Sequence, residues 1–167
     1  MSILKHRKRG ISMELENKLN EFLADLNVFY RKLQNYHWNV QGKDFFQVHA
    51  KLEELYNEIN EQIDEVAEHI LSLGYQPLGT MQDFINNSEI QEARTVKDYL
   101  DISTIKEAEN KKIKSVEIYN NLLSDFEELN KKAIEIKEEA EIEKDYATSS
   151  LIDEYILTGS SKGVNEL

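Results

Sequence analysis

Two long runs in which apolar residues recur every three or four positions, joined by only a short polar turn, constrain this chain more than any other feature. Leu15, Leu19, Phe22, Leu23, Leu26, Phe29, Leu33 and Tyr36 form one stripe of a helix predicted from about 13 to 40, with Ser12 as its N-cap. Leu52, Leu55, Ile59, Ile63, Val66, Ile70 and Leu73 form a second stripe from about 45 to 73, where Gly74 is placed to end the helix and Pro77 follows. The link Gln41–Asp44 is so short that the two helices must form an antiparallel hairpin. A third helix is predicted from Ser115, as N-cap, to about Glu143, with Val116, Tyr119, Leu122, Leu123, Phe126, Leu129, Ala133, Ile136 and Ala140 on its apolar face. A fourth starts near Asp145, carries Ala147, Leu151, Ile152, Tyr155 and Ile156, and stops at Thr158-Gly159-Ser160-Ser161-Lys162-Gly163, a run that cannot continue a helix. The predicted fold class is all-α, a four-helix bundle whose fourth helix is unusually short.

Composition narrows the function. The 167 residues suffice for one domain with a single core, and one proline and six glycines leave little to interrupt helices. There is no cysteine, which excludes disulfides, zinc–thiolate sites and thiol nucleophiles. No apolar run approaches the roughly 20 residues that span a bilayer, and the basic N-terminus lacks the apolar core of a signal peptide, so a cytoplasmic protein without a membrane partner is expected. A net charge of −12 repels nucleic acid over most of the surface and suits cations instead. The local exception is the cluster Lys5, His6, Arg7, Lys8 and Arg9, a possible DNA contact on an arm expected to be flexible over residues 1–12. The helical domain is expected over 13–158 and a flexible tail over 159–167.

Between the second and third long helices lies a repeat. Thr80–Ala93 (TMQDFINNSEIQEA) aligns with Thr95–Ala108 (TVKDYLDISTIKEA) at an offset of 15, with six of 14 positions identical. Two copies are too few for a solenoid. Residues 80–108 therefore read as a duplicated insert of short helices, each capped by its threonine, lying across the outside of the bundle.

Histidines and carboxylates supply the candidate chemistry. His37 is near the end of the first helix and His49 near the start of the second. Glu53 is one turn beyond His49, and Asp64 and Glu68 are four apart on one face of the second helix. Imidazole with carboxylate suits Fe(II), Mn(II) or Zn(II). His49 and Asp64, 15 positions apart on one helix, are separated by roughly 22 Å and cannot share an ion within one chain. If the clusters form one site, two subunits meet about a two-fold axis and each dimer holds two sites. The alternative, a site inside one bundle, needs a Glu-x-x-His pair from each of two helices. Gln34, Phe46 and Val66 stand three before His37, His49 and His69, which disfavours it. His6 and His69 read as structural, and Glu54, Glu58, Glu61 and Glu65 as a solvated face.

The segment YHWNVQGKDFFQVHAKLEELYNEINEQIDEVAEHI, Tyr36 to Ile70, resembles the ferroxidase segment of Dps proteins, ferritin-like mini-ferritins. His-Trp, a second His 12 positions on, Asp after 15 more and Glu after another four match at His37, His49, Asp64 and Glu68, with Glu53 where the family has an acidic residue. Similarity covers about residues 13–93 and 103–156. The resemblance implies a four-helix subunit, a dodecameric shell, and di-iron sites across the dimer interface. There Fe(II) is oxidised to Fe(III) with hydrogen peroxide, the product is stored, and DNA is protected from oxidative damage. Catalytic and metal-binding roles then fall to His37, His49, Asp64 and Glu68, with Glu53 as a further metal ligand. Trp38 matches the family's tryptophan beside the site, as a radical quencher or as packing. Asp145 is the best candidate for an acidic three-fold pore.

Two departures bear on this reading. The family has one short helix where this chain has two copies of the motif. Its fourth helix also continues two to four turns further, and losing those turns would expose apolar surface worth several kcal/mol. The competing readings are a DNA-compacting particle acting through Lys5, Arg7, Lys8 and Arg9, and a subunit that folds but is impaired in assembly.

Overall fold

A computed structural model describes residues 10–100 and 112–159. The basic cluster Lys5–Arg9, the second repeat copy beyond Leu100 and the tail from residue 160 lie outside the described residues. Among the described residues the protein is helical: α1 (Met13–Asn39), α2 (Phe45–Ser72), α3 (Met81–Asn87), α4 (Val96–Leu100), α5 (Ser115–Ile142) and α6 (Tyr146–Gly159). The four-helix bundle is formed by α1, α2, α5 and α6. The expected short fourth helix is α6, 14 residues against 28 for α2. No helix among the described residues is long and apolar enough to cross a membrane.

The helix ends follow from local chemistry. Ser12 caps α1 by accepting a hydrogen bond from the Leu15 amide at 3.1 Å. Gly74, at φ +87°, ends α2 in a left-handed turn. The Tyr75 amide reaches back to the Ile70 carbonyl and the Gly74 amide to that of Leu71, the paired bonds of a Schellman motif. The end of α5 repeats this geometry, but the left-handed position is held by Lys144 at φ +60°. Ser115 is not the N-cap that the sequence suggested. Lys114 occupies that position, and Ser115 is already helical. The cause is a short pairing of Val40 with Ile113, in which the Gln41 amide donates to the Ile113 carbonyl at 2.9 Å and keeps the chain extended up to Lys114.

All eight predicted stripe residues of α1 are buried. On α5 the expected face needs correction. Val116 is 70% exposed and Leu123 also faces outward, whereas Ile118 is fully buried and starts the true stripe through Leu122, Leu129, Ala133, Ile136 and Ala140. The α5 face also carries Asp125, and the α1 face carries Asp25 and Lys32. Lys32 Nζ lies 2.7 Å from Asp125 Oδ2. Asp25 is fully buried, with Lys132 Nζ at 2.5 Å from one oxygen and the Ser88 hydroxyl and Glu89 amide donating to the other. These pairs tie α1 to α5 through the core. The sequence reading missed them, although charged residues in apolar register are the available signal.

Both short helices begin as their sequence predicts. Thr80 accepts from the Asp83 amide at 3.1 Å, and Thr95 accepts from the Asp98 amide while donating to the Asp98 carboxylate. Phe84 of α3 is buried, and Tyr99 of α4 packs against the core with its hydroxyl donating to Asn35. Arg94 between them makes a two-pronged bond to Glu117, at 2.7 and 2.8 Å. At the opposite end of the bundle, Glu65 is exposed, as expected, but is not idle. It accepts a 2.5 Å bond from Tyr155 and ties α2 to α6. The short fourth helix is thereby fastened by a polar contact as well as by burial of Ile152 and Tyr155.

Candidate metal centre

The α1–α2 hairpin brings two histidines together. Gly42, at φ +135°, permits a backbone turn that other residues rarely adopt. The chain therefore leaves α1 at Asn39 and re-enters a helix at Phe45. His37 then faces His49 with ring centroids 3.6 Å apart and planes 15° from parallel.

Each ring is hydrogen-bonded to the other residue's backbone. His37 Nδ1 lies 2.7 Å from the His49 carbonyl oxygen, and His49 Nδ1 lies 2.7 Å from that of His37. A carbonyl can only accept, so both Nδ1 atoms carry a proton, and in a neutral imidazole that leaves the lone pair on Nε2. The His37 carbonyl belongs to the last turn of α1, where no amide of the helix can reach it, and the His49 ring caps it. Protonated Nδ1 on a fixed acceptor is the arrangement that orients metal-ligating histidines. Neither Nε2 has a hydrogen-bond partner among the described residues.

The pair is bracketed by aromatic rings. Phe45 stacks on His49 at 4.9 Å and 25°, and Tyr56 meets His37 edge-on at 5.3 Å and 86°. Neither was singled out from sequence, although Phe45, His49 and Tyr56 share one face of α2 at spacings of four and seven. Two further aromatics are bare: Phe46 is 82% exposed and Trp38 60% exposed, with the Arg31 guanidinium 5.9 Å above the Trp38 ring.

The carboxylates stand elsewhere. Glu53, Asp64 and Glu68 are exposed on α2, with Asp64 and Glu68 one turn apart. Among the described residues, no three His, Asp or Glu side chains of one chain are grouped to hold a metal ion. The structure thus joins His37 to His49 and keeps Asp64 and Glu68 apart from them, as the axial rise of one helix requires. His69 is structural, as expected: its Nε2 donates to the buried Thr148 hydroxyl at 2.6 Å, and that hydroxyl donates to Asp145. Burial lowers the His69 pKa while the Asp145 charge opposes the shift. Asp145 itself caps α6 by accepting from the Thr148 amide, so it has a structural task irrespective of any pore.

Known proteins place this arrangement. The family model for the ferritin-like domain matches residues 16–162. The DNA protection during starvation protein of Helicobacter pylori is 32% identical over 138 residues, 83% of this chain and 85% of that protein. Its counterpart in Listeria innocua is 42% identical over 82 residues, 49% of this chain. That match spans 53% of the Listeria protein, and the chain covers about half the length of several such curated relatives. The crystal structure of a Dps protein from Vibrio cholerae, described as one of the ferritin-like diiron-carboxylate proteins, superposes with a TM-score of 0.82 at 29% identity, covering 99% of this chain and 97% of that one. Fold, hairpin and relatives agree, and the chain belongs to the Dps family of ferritin-like proteins.

Proposed function

We propose that this protein is a cytoplasmic ferroxidase and iron-storage subunit of a dodecameric cage, and that it protects DNA by removing Fe(II) and hydrogen peroxide together. The observation that carries the reading is the histidine pair, whose two Nδ1–H groups are held by backbone carbonyls and whose two Nε2 atoms have no hydrogen-bond partner among the described residues. Iron is the substrate. Imidazole nitrogens from one chain with exposed carboxylates from another give a mixed N/O donor set that suits Fe(II), and the carboxylates favour the harder Fe(III) as oxidation proceeds. Asp64 and Glu68 of one subunit hold the tighter iron, while His37 and His49 of the other subunit complete the site or hold a second iron. Glu53 adds a further carboxylate. The exposed rings of Trp38 and Phe46 at the hairpin end support a subunit contact there, because large bare aromatics mark surfaces that another chain covers. Two Fe(II) supply both electrons that hydrogen peroxide needs, giving two Fe(III) and two waters with two protons consumed, and no one-electron radical is released.

The test is peroxide consumed per Fe(II) oxidised. One peroxide per two Fe(II), abolished in an Asp64→Ala, Glu68→Ala variant, is expected. Undiminished oxidation in that variant would refute the site.

A second reading rests on α6, which spans 14 residues among the described residues, shorter than the resemblance implies for a fourth helix. Light scattering near twelve subunits upholds the cage, while a monomer makes the assembly-impaired reading correct and removes the shared site. DNA binding through Lys5, Arg7, Lys8 and Arg9 is a lesser proposal, and it fails if no mobility shift appears at low salt.

A further inference from the structure

The hydrogen bonds of the histidine pair are too weak to fix it alone. A neutral hydrogen bond biases a ring against a half-turn flip by only about tenfold. A flip would exchange Nδ1 with a carbon and turn Nε2 away. We infer that Phe45 and Tyr56 are positioning residues. They clamp the His37 and His49 imidazoles from both ends of a series of four contacting rings, so that the two Nε2 atoms are offered to the metal as one prearranged unit. The inference rests on reading His37 and His49 as iron ligands.

The geometry supports a clamp. The order is Phe45, His49, His37, Tyr56, with centroid separations of 4.9, 3.6 and 5.3 Å. The flat face of Phe45 lies against His49, and the Tyr56 ring stands perpendicular to that of His37. Each end is buttressed in turn. Phe45 is met edge-on by Phe46 at 5.2 Å and 76°, and Tyr56 by Tyr30 of α1 at 6.0 Å and 88°. A ring that flips or tilts must break a backbone bond and also displace an aromatic neighbour held by a second one. Phe45 has no donor atom and cannot ligate, so any effect it has on metal must pass through His49. Tyr56 has a hydroxyl, and Tyr56→Phe separates its ring from that oxygen.

The experiment is titration of the assembled full-length protein with Co(II) alone, read by its visible absorption, beside Fe(II) oxidation kinetics. Native mass is checked for every variant. Phe45→Leu and Tyr56→Leu are expected to weaken Co(II) binding about tenfold and to raise KM for Fe(II) more than they lower kcat. Phe45→Trp and Tyr56→Phe should restore parent values. Phe45→Met, which keeps bulk without a ring face, replaces Phe45→Leu if that variant does not assemble. Parent Co(II) affinity in the leucine variants, or a Tyr56→Phe loss equal to that of Tyr56→Leu, overturns the clamp. His49→Ala distinguishes the two failures. If it too binds Co(II) like the parent, the ligand assignment falls, whereas weak binding in His49→Ala with normal leucine variants removes the clamp alone.

Discussion

Removing the Lys32 ammonium strands a carboxylate inside the bundle. Lys32 Nζ and Asp125 Oδ2 are 2.7 Å apart, and the side chains are 6% and 10% exposed, so water can replace little of what is lost. Breaking a buried pair from one side costs about 3–5 kcal/mol. Lys32→Ala should therefore lower stability by about that much at pH 7, or roughly 6–20 °C in Tm for a domain of this size. The loss depends on pH in a definite direction. Burial raises the Asp125 pKa above its ordinary 3.8, and Lys32 opposes the shift. Without Lys32 the folded variant binds its proton at still higher pH than the unfolded chain does. Its stability then rises as pH falls through the folded pKa, and the gain is complete near 3.8. The gap between parent and variant should shrink steadily on acidification. Lys32→Met with Asp125→Leu removes both charges and should lie within about 1 kcal/mol of the parent or above it. Urea unfolding at equal protomer concentration, repeated at several pH values, measures all three proteins. A Lys32→Ala loss below about 1 kcal/mol at pH 7, or a loss that does not change with pH, would refute the reasoning.

Two other expectations concern the α6 end of the bundle. Lys144 sits at φ +60°, where glycine is the usual occupant, so Lys144→Gly should stabilise by about 1 kcal/mol, read as an increased urea midpoint at unchanged slope. Burial, with the Glu65 bond and charge, raises the Tyr155 pKa above 10. The stability that this shift contributes is complete below pH 10 and lost as pH rises beyond it, so Tyr155→Phe should start less stable at neutral pH but decline more gently above pH 10 in thermal melts.

Much of this was legible because helical periodicity is a local property. The α1 and α2 stripes, the Ser12 cap, the Gly74 terminus and both threonine caps depend on residues within a turn or two of each other. Partners far apart in the chain were not legible. Asp25 meets Lys132 across 107 positions and Glu65 meets Tyr155 across 90, and nothing in either neighbourhood names the other. The α5 face was displaced because two apolar stripes run side by side at helical spacing, Val116, Tyr119, Leu123 and Phe126 beside Ile118, Leu122 and Leu129, and the second is the buried one. At the candidate site, spacing brought His37 near His49 and kept both from Asp64. The reciprocal Nδ1–carbonyl bonds were hidden, since they depend on where a turn places two backbone oxygens.

The central claim is that each site takes its histidines from one subunit and its acids from another. Mixing subunits tests it directly. A His37→Ala, His49→Ala chain and an Asp64→Ala, Glu68→Ala chain are each expected to be inactive alone. Unfolded and refolded together in equal amounts, half the two-fold pairs are mixed and each mixed pair regains one of its two sites, so about a quarter of parental Fe(II) oxidation should return. Co-assembled shells with no activity above the separate variants would contradict the account.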